Sequence, residues 1–327
     1  MKAVVLKGPR DLAVEDLPKP KPPEGWDLVE TGAAGICGTD KAFYRGTYPL
    51  LKRPLVPGHE VSGVVVEGPE DLVGERVVSE INFACLSCRT CMSGLYTHCP
   101  RRRTLGIDFD GGMAEYFIAP SWALHPHRLA HDRAFAAEPL AAVLNAVSLH
   151  PPKPGASIAI VGTGFIALLT AQVLKSMGYD PLIVSRRGSL KAERLRGMGF
   201  RVVESGEAKS VAESETLDGL GFDMVFEASG SNSGLSLSVE LARPRGVVHL
   251  KSTPGGVAEM PQTAAVVKEV RLVGSRCGGF REFGRALNLL ESGAVEPVVD
   301  ESYHLDSASE AFESSLDRRS FKVLLKP

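Results

Sequence analysis

The first 120 residues carry short apolar runs that glycine and proline interrupt every few positions. These runs are MKAVVL, DLVE, VSGVVVEG, RVVSE and AEYFIAP. Apolar runs of this length, bounded by turn-forming residues, are typical of β-strands, and few stretches between them are long enough for a helix. The sequence therefore predicts a β-rich first region.

After Pro120 the pattern changes to an alternation of helices and strands. Residues 132–150 are apolar at helical spacing, with an interruption predicted at Pro139, and the segment PPKPG ends the helix. The next segment, SIAIVGTGFIALLTAQVLKSMGYDPLIVS, predicts a buried strand, a glycine-containing turn, a helix ending at Gly178 and a second strand. The alternation continues through RLVGSRC, which predicts a doubly wound α/β domain with a parallel sheet.

The length of the chain also favours two domains. A chain of 327 residues is longer than one hydrophobic core usually supports. The tail returns to a mixed α and β pattern and is expected to rejoin the first region. We therefore expect a β-rich domain formed by residues 1–139 and 279–327, and a dinucleotide-binding domain formed by residues 140–278.

Composition narrows the classes of partner. The net charge is -2, so the chain has no broad basic surface for nucleic acid or anionic lipid, and small molecules are the expected partners. No apolar run approaches the 18 residues of a membrane span, and the first twenty residues resemble neither a signal nor a transit peptide. We expect a cytoplasmic protein, in which clustered cysteines bind metal more often than they form disulfides.

Four of the six cysteines lie within the fifteen residues CLSCRTCMSGLYTHC, at Cys85, Cys88, Cys91 and Cys99. Four thiolates fill the tetrahedral coordination of zinc and leave no position for a substrate, so this spacing predicts a structural zinc site. A pair of disulfides is the alternative that a reducing compartment disfavours. His98 is then a neighbour of the site and not a required ligand.

Gly162, Gly164 and Ala167 form a GxGxxA pattern between a predicted strand and a predicted helix. In that context the pattern indicates a dinucleotide site: the glycines allow a tight turn and close approach of a pyrophosphate to the helix N-terminus. The second strand ends in Ser185, Arg186 and Arg187 where an NAD enzyme usually carries an acid. Guanidinium groups suit the 2′-phosphate of NADP, although a packing turn and solvated surface arginines remain the alternatives.

A second group of metal-binding residue types lies upstream, in GICGTDKAFY and PGHEVSG. The first segment holds Cys37, Thr39 and Asp40, and the second holds His59 and Glu60; the cysteine and the histidine are expected in glycine-rich loops. Cysteine and histidine in a protein with a nicotinamide-type site suggest an open zinc site with a free position for substrate. Each residue alone is a weak signal, since a single buried cysteine is more often a small hydrophobic side chain.

The chain resembles the zinc-dependent medium-chain dehydrogenases, which include alcohol, sorbitol, threonine and glucose dehydrogenases. The resemblance is carried, in family order, by CGTD at 37–40, GHE at 58–60, the four-cysteine segment, EPL at 138–140 and GTGFIA at 162–167. It spans essentially the whole chain. It implies a GroES-like β-rich catalytic domain, with the four-cysteine segment as a projecting structural zinc lobe (85–99), and a Rossmann dinucleotide-binding domain.

The resemblance also implies roles for individual residues. Cys37 and His59 match catalytic zinc ligands, and either Glu60 or Glu138 is the third. Asp40 matches the carboxylate that orients the ligand histidine. Thr39 matches the hydroxyl that hydrogen-bonds the substrate alcohol. The implied reaction is hydride transfer between an alcohol, polyol or sugar and NAD(P), with zinc as Lewis acid and two zinc ions per chain.

One departure from the family concerns proton release. Several members carry a histidine shortly after CGTD or CGSD, whereas this chain reads Lys41-Ala42-Phe43-Tyr44. Our hypothesis is that Tyr44, or the coenzyme ribose with water, completes the relay beyond Thr39.

The chain is expected to associate with copies of itself. The strand near 270–274 forms a sheet edge in the family and pairs across a two-fold axis, which predicts a homodimer or homotetramer.

Three other functions compete: a quinone or carbonyl reductase, a coenzyme-binding paralogue without catalysis, and a zinc module that binds nucleic acid through PRRRT at 100–104. The metal-binding residues argue against a zinc-independent reductase, and the lack of a basic excess argues against nucleic acid.

Overall fold

The computed structural model describes residues 1–253, 255 and 257–327. The strands within these residues are β1 (Lys2–Gly8), β2 (Asp11–Asp16), β3 (Trp26–Gly35), β4 (Glu60–Glu67), β5 (Arg76–Ser79), β6 (Asn82–Phe83), β7 (Arg103–Thr104), β8 (Tyr116–Pro120), β9 (Leu124–Pro126), β10 (Ile158–Val161), β11 (Leu182–Ser185), β12 (Arg201–Glu204), β13 (Phe222–Glu227), β14 (Ala242–Leu250), β15 (Arg271–Gly274), β16 (Glu301–His304) and β17 (Val323–Lys326). The α-helices are α1 (Gly38–Arg45), α2 (Arg89–Met92), α3 (His131–Ala134), α4 (Ala137–Leu149), α5 (Phe165–Ser176), α6 (Leu190–Gly197), α7 (Ala208–Glu215), α8 (Asn232–Leu241), α9 (Gln262–Val267), α10 (Phe280–Glu291) and α11 (Ala308–Ser315). Short 3₁₀ helices cover Tyr96–His98, Ser121–Ala123, Leu217–Gly219 and Leu305–Ser307.

The chain forms two compact units. One comprises Met1–Ala141 with Cys277–Pro327, and the other comprises Ala142–Arg276. None of the helices in the described residues has the length and apolar character that crossing a bilayer requires.

A seven-stranded, mainly antiparallel sheet organises the first unit. Its order is β16-β17-β3-β4-β5-β9, with β8 paired to β3, and within this sheet β16–β17 is the only parallel pair among the described strands. Apolar side chains of these strands and of α1 and α11 form one buried core. The β-rich first region predicted from the short apolar runs is confirmed.

The segment after Cys37 is not the loop that the glycines of GICGTD suggested. It forms helix α1, and Cys37 stands just before the first helical residue with an extended backbone (φ -81°, ψ 163°). Gly46 ends the helix in the left-handed region with φ 74°, a conformation that favours glycine. Cys37 and His59 themselves lie outside the helices and strands, as expected, whereas Thr39 and Asp40 lie in the first turn of a helix that the sequence pattern did not predict.

The predicted interruption at Pro139 was also wrong in position. The break falls at residues 135–136, between α3 and α4, and Pro139 is the third residue of α4. Proline is tolerated in the first turn of a helix, where the backbone N–H groups have no intrahelical acceptor. Glu138 consequently occupies the first turn of α4.

The second unit contains a six-stranded parallel sheet in the order β12-β11-β10-β13-β14-β15. The chain starts at β10, moves outward through β11 and β12, and returns to β13 on the other side. This order is that of a dinucleotide-binding α/β fold, in which ligands bind at the carboxyl ends of the strands where the direction reverses. The prediction of a Rossmann fold beside a β-rich unit is confirmed.

His249 is a buried histidine in β14 that should make this unit sensitive to acid. Its Nε2 faces the carbonyl oxygen of His150 at 3.1 Å, and its ring stacks on Phe226 with centroids 4.6 Å apart. The Nδ1 atom has no hydrogen-bond partner among the described residues. Burial lowers the pKa of His249 to about 4, from an ordinary value of 6.5.

We expect His249 to reduce stability as the pH falls from about 6.5 to about 4. In that window the unfolded chain binds a proton at this position and the folded chain does not. Above about pH 6.5 His249 is neutral in both states and no stability is lost. At about pH 4 the free energy of unfolding is lower by about 3 kcal/mol. Denaturant unfolding at pH 7, 5 and 4 should therefore show a shallower pH dependence for His249→Gln than for wild type. Equal slopes would contradict the assignment.

Candidate active site, zinc centres and coenzyme turn

Cys37, His59 and Glu60 converge in the first unit. Their potential ligand atoms all lie within 4.8 Å of one another. His59 and Glu60 are buried, with 3% and 2% of their surface exposed, whereas Cys37 is partly exposed. One soft sulfur, one imidazole and one carboxylate form a donor set that suits zinc. The partly exposed thiol leaves this group open on one side.

Backbone packing fixes the position of His59. Gly58, immediately before it, has φ 99°, and a Cβ at this residue would lie 2.8 Å from the backbone nitrogen of Met113. The carbonyl oxygen of Gly58 accepts a hydrogen bond from the N–H of Gly112 at 2.9 Å. The glycine of PGHE is therefore required by both conformation and space, and it directs the chain into β4.

Asp40 adds a buried negative charge beside the imidazole. Its Oδ2 accepts a hydrogen bond from the N–H of Cys37 at 2.9 Å, and its Oδ1 lies 3.9 Å from Nδ1 of His59. That separation is too long for a hydrogen bond, and both atoms lack a partner among the described residues. Burial disfavours the imidazolium, but Cys37 and Asp40 outweigh burial and raise the pKa of His59 well above its usual value.

Glu60 has a partner that sequence reasoning missed. Its Oε2 accepts a hydrogen bond from Nζ of Lys322, which also donates to the carbonyl oxygen of Ile36 at 3.3 Å. Lys322 is 3% exposed, so the two charges form a buried ion pair. The available signal was a single lysine within the apolar segment FKVLL, where a buried strand is expected to hold no charge.

Glu138 lies near this group without joining it. Its carboxylate is buried, and its charge contributes to the raised pKa of His59. Among the described residues, however, the set whose ligand atoms lie within 4.8 Å includes Glu60 and not Glu138. Of the two carboxylates left open as third ligand, Glu60 has the closer geometry.

Thr39 and Tyr44 occupy different surroundings although both belong to α1. Thr39 is partly exposed next to Cys37. The hydroxyl of Tyr44 donates to Oε1 of Glu313 at 2.8 Å, and its ring packs against Phe312 in α11. Tyr44 is thus held by the α11 side of the unit, which does not favour our hypothesis that it completes a proton relay.

We expect Tyr44→Phe to leave the pH profile of turnover unchanged, because the phenol is bonded to Glu313. The loss of that hydrogen bond should cost only about 1 kcal/mol of stability. Thr39→Val, which removes the hydroxyl next to Cys37, is the comparison and should lower kcat across the pH range. A shifted pH profile in the Tyr44 variant would restore the relay hypothesis.

The four clustered cysteines form a second group with metal-binding geometry. Sulfur atoms of Cys85, Cys88, Cys91 and Cys99 lie within 4.8 Å of one another, with hydrogen-bonded pairs at 3.4 to 3.9 Å. All four are free thiols. Zinc–sulfur bonds of roughly 2.3 Å in a tetrahedron separate the sulfurs by about 3.8 Å, so the four atoms fit a closed zinc site. Exposed His98 lies outside this group of described residues.

Local donors favour the thiolate form of Cys85. A backbone hydrogen bond from Ser87 lowers the pKa of Cys85 to about 5. A guanidinium N–H of Arg101 donates to the Cys85 sulfur at 3.1 Å. Arg102 donates to the carbonyl oxygen of Cys99, and Arg103 lies over the ring of Phe109. The arginines of PRRRT are therefore engaged in local contacts.

Tyr96 fastens the four-cysteine lobe to the rest of the first unit. Its hydroxyl donates to Oε2 of Glu80 at 2.8 Å and accepts from the N–H of Phe280. Glu80 is fully buried, and its other oxygen lies 3.1 Å from Nε2 of His125. Sequence reasoning missed this network, because its members come from four separate segments of the chain.

The glycine-rich turn of the second unit joins β10 to α5. Gly162 has φ 125°, and a Cβ there would lie 2.5 Å from the carbonyl oxygen of Ala228. Gly164 precedes α5 and has open space where a Cβ would be, so the fold itself does not require a glycine at this position. Ala167 is fully buried in α5. The free space beside Gly164, at a helix N-terminus, suits an approaching phosphate.

The residues after β11 differ in exposure. Ser185 is buried, and its hydroxyl donates to the carbonyl oxygen of Val203 at 3.1 Å. Arg186 and Arg187 are exposed. Among these three, only the arginines present charge to solvent at the carboxyl end of the strand.

Comparisons with known proteins agree with this geometry. Residues 23–129 match the model of the alcohol dehydrogenase GroES-like domain, and residues 166–292 match that of the zinc-binding dehydrogenases. The chain is 31% identical to a sorbitol dehydrogenase of Halalkalibacterium halodurans, over 100% of this chain and 99% of that protein.

Solved structures extend the comparison. A zinc-binding dehydrogenase of Sinorhizobium meliloti bound to NADP superimposes with a TM-score of 0.88 at 29% identity, covering 100% of this chain and 99% of the other. The alcohol dehydrogenase RspB of Escherichia coli, complexed with NADH, gives a TM-score of 0.90 at 26% identity with the same coverage.

The chain therefore belongs to the zinc-type medium-chain dehydrogenase/reductase family. It is a zinc-type alcohol or polyol dehydrogenase, and the prediction of an oxidoreductase of this class is confirmed.

Proposed function

We propose that this protein is an NADP-preferring dehydrogenase of polyols or sugar alcohols that holds two zinc ions per chain. The buried group of Cys37, His59 and Glu60 carries the proposal, because a thiol, an imidazole and a carboxylate within 4.8 Å form an open catalytic zinc site. The closed set of four thiols in the lobe is proposed as the structural site. The domain assignment proposed with it gives catalysis to residues 1–139 and 279–327 and coenzyme binding to residues 140–278.

Zinc bound by Cys37, His59 and Glu60 would supply Lewis acidity to the oxygen of an alcohol or carbonyl substrate. Asp40 accepts a hydrogen bond from the N–H of Cys37, so it helps to orient that ligand, and its other carboxylate oxygen lies 3.9 Å from Nδ1 of His59. Glu138 adds a second buried negative charge near the imidazole.

Thr39 is proposed to accept the proton of the substrate alcohol. It lies two residues from Cys37 in the same helical turn, and it is partly exposed, so a substrate and water can both reach its hydroxyl. With Tyr44 bonded to Glu313, water and the coenzyme ribose remain the proposed route for the proton from Thr39 to solvent.

Coenzyme binding is proposed at Gly162, Gly164, Ala167, Ser185, Arg186 and Arg187. The turn at Gly162 and Gly164 receives the pyrophosphate, and the two exposed arginines receive the 2′-phosphate of NADP. The buried Ser185 contributes a small neutral residue where a carboxylate would repel that phosphate. A nicotinamide coenzyme held by these residues would supply the hydride donor or acceptor for the substrate carbon.

The substrate class rests on the ligand set and on the relatives. Glu138 stands where alcohol dehydrogenases carry a second thiolate, and a glutamate at that position resembles the polyol and sugar branch of the family. The sorbitol dehydrogenase noted above belongs to the same branch by name. A secondary alcohol flanked by hydroxyl groups is the proposed substrate class, and a cytoplasmic location agrees with four thiols kept reduced as ligands.

Self-association through β15 is part of the proposal. This strand forms an edge of the parallel sheet, and its Leu272 is 38% exposed. Nearby in the chain, Val266 and Val267 of α9 are 68% and 77% exposed. An unpaired edge beside exposed apolar side chains favours pairing with a second copy. Light scattering should give a multiple of the 34.9 kDa chain mass, and Leu272→Asp should reduce it to that mass.

A non-catalytic paralogue and a nucleic-acid-binding zinc module are the competing functions. The test is a coenzyme-reduction screen over alcohols, polyols and aldoses with NAD and NADP side by side. Turnover that is fastest with a polyol and NADP supports the proposal. Coenzyme binding without turnover on any substrate favours the paralogue, and salt-dependent retention of DNA favours the nucleic-acid module.

A further inference from the structure

Two arginines follow β11 without a carboxylate partner. The guanidinium groups of Arg186 and Arg187 form no hydrogen bond or ion pair with another residue in the described part of the chain. The neighbouring strand shows the contrast, because Arg201 at the start of β12 is paired with Glu215. Two unpaired guanidinium groups at the carboxyl end of a parallel strand are available to an anion.

Strand β12 pairs with β11, and its last residue, Glu204, is the acid that this pairing brings beside the turn. It stands in register with Ser185, the last residue of β11. Its Oε1 accepts a hydrogen bond from the backbone N–H of Gly188 at 3.0 Å. Gly188 has φ 66°, a conformation that favours glycine, so the carboxylate binds the residue at which the turn takes a left-handed conformation. Glu204 thus binds the backbone of the turn and not its arginines.

The other end of the turn is fixed to the glycine-rich segment. The hydroxyl oxygens of Ser189 and Thr163 lie 3.1 Å apart, and Thr163 separates Gly162 from Gly164. The carbonyl oxygen of Ser185 accepts from the N–H of Ser205 at 2.7 Å. Residues 185–189 are therefore held against β12 on one side and against the proposed pyrophosphate turn on the other.

We propose that Glu204 is a positioning residue that sets coenzyme selectivity. By holding the N–H of Gly188 it fixes the turn that carries Arg186 and Arg187 and leaves both guanidinium groups free for the 2′-phosphate. This inference rests on the proposed preference for NADP. The acceptor oxygen and the negative charge of Glu204 have opposite effects: the oxygen shapes the phosphate site, while the charge repels the phosphate.

Three substitutions separate these two effects. Glu204→Gln keeps an acceptor oxygen at the same reach and removes the charge. Glu204→Asp keeps the charge on a side chain one methylene shorter, which withdraws the acceptor from Gly188. Glu204→Ala removes both. Glu207→Gln is the matched control, since Glu207 is an exposed acid three residues away that bonds the N–H of Glu204 and not the turn.

The experiment measures dissociation constants of NADP and NAD for each full-length protein by calorimetry, with melting temperature as a check on folding. The ratio of the NAD constant to the NADP constant should fall roughly tenfold in Glu204→Asp, the loss expected for one hydrogen bond to a charged acceptor, and by less in Glu204→Ala, which also removes the repelling charge. It should hold or rise in Glu204→Gln and stay unchanged in Glu207→Gln.

Two results overturn the inference alone: a wild-type ratio in both Glu204→Asp and Glu204→Ala, or an equal fall in Glu204→Gln and Glu204→Asp. If Glu204→Ala does not fold, the comparison of glutamine with aspartate decides the question. A wild-type protein that binds NAD more tightly than NADP overturns the proposed coenzyme preference, and the inference falls with it.

Discussion

Replacing Lys322 with methionine is expected to lower the free energy of unfolding by about 3 to 5 kcal/mol, because a carboxylate would remain buried without its cation. Lys322 and Glu60 are both almost completely inaccessible to solvent, and the ammonium group donates to Glu60 and to the carbonyl oxygen of Ile36. Methionine fills similar space and carries no charge. Urea unfolding of zinc-loaded and chelated protein should show the loss, and it should be larger without metal, because the charge of zinc no longer offsets that of Glu60.

Lys326, the last residue of β17 and four residues after Lys322, provides the matched control. It is 39% exposed in its side chain and pairs with Asp132 at 3.5 Å, so Lys326→Met removes a surface ion pair. Exposed pairs contribute about 0 to 1 kcal/mol, and the control should stay within that range. Lys322→Arg keeps a cation and should recover part of the stability. If the two methionine variants were equally stable, Lys322 would not be compensating a buried charge.

The local parts of the fold could be predicted from the sequence. An uninterrupted apolar run, Gly162 and Ala167 follow one another within ten residues, and this local pattern predicts the β10–α5–β11 unit. In the structure Gly162 has φ 125° and Ala167 is buried. The zinc lobe is similar, because four cysteines within fifteen residues specify a closed site by number and spacing. Short sequence separation makes such features visible without knowledge of the tertiary fold.

The missed contacts join distant segments. Lys322 lies 262 residues from Glu60, and Tyr96 bonds Phe280 across 184 residues. Hydropathy patterns describe which face of one element is buried, and they do not identify the partner of a buried charge. Helix α1 was missed for a local reason: its first residues are Gly38 and Thr39, which have low helix propensity, and only the short segment through Arg45 is helical.

The candidate metal site could be predicted only in part. Cys37, His59 and Glu60 were identified through the motifs that carry the family resemblance, and the fold brings their ligand atoms together. The choice between Glu60 and Glu138 depends on which carboxylate the tertiary fold brings to Cys37 and His59, and it could not be made from residue type. The geometry favours Glu60, and the buried Glu138 remains close enough to act on His59 through its charge.

Removal of His59 should abolish turnover while leaving the fold largely intact. We expect His59→Ala to lower kcat/KM by roughly three orders of magnitude, since loss of Lewis-acid stabilisation is equivalent to about 4 kcal/mol in the barrier. Zinc content should fall from about two to about one per chain, because the four-thiol site retains its complete ligand set. Metal analysis together with steady-state kinetics measures both quantities on one preparation.

Cys91→Ser should have the opposite effect to His59→Ala: the protein should lose stability and keep most of its turnover. This substitution should also remove one of the two proposed zinc ions, but from a site proposed to supply folding energy and no substrate position. We expect a melting temperature lower by roughly 4 to 8 °C, the shift that a loss of about 2 kcal/mol produces in a domain of this size. Turnover per folded molecule should stay within a few-fold of wild type, since Tyr96 and Glu80 separately hold the lobe to the first unit. If both variants lost turnover and stability to the same extent, the two groups would form one functional unit, and their division into a catalytic and a structural centre would be wrong.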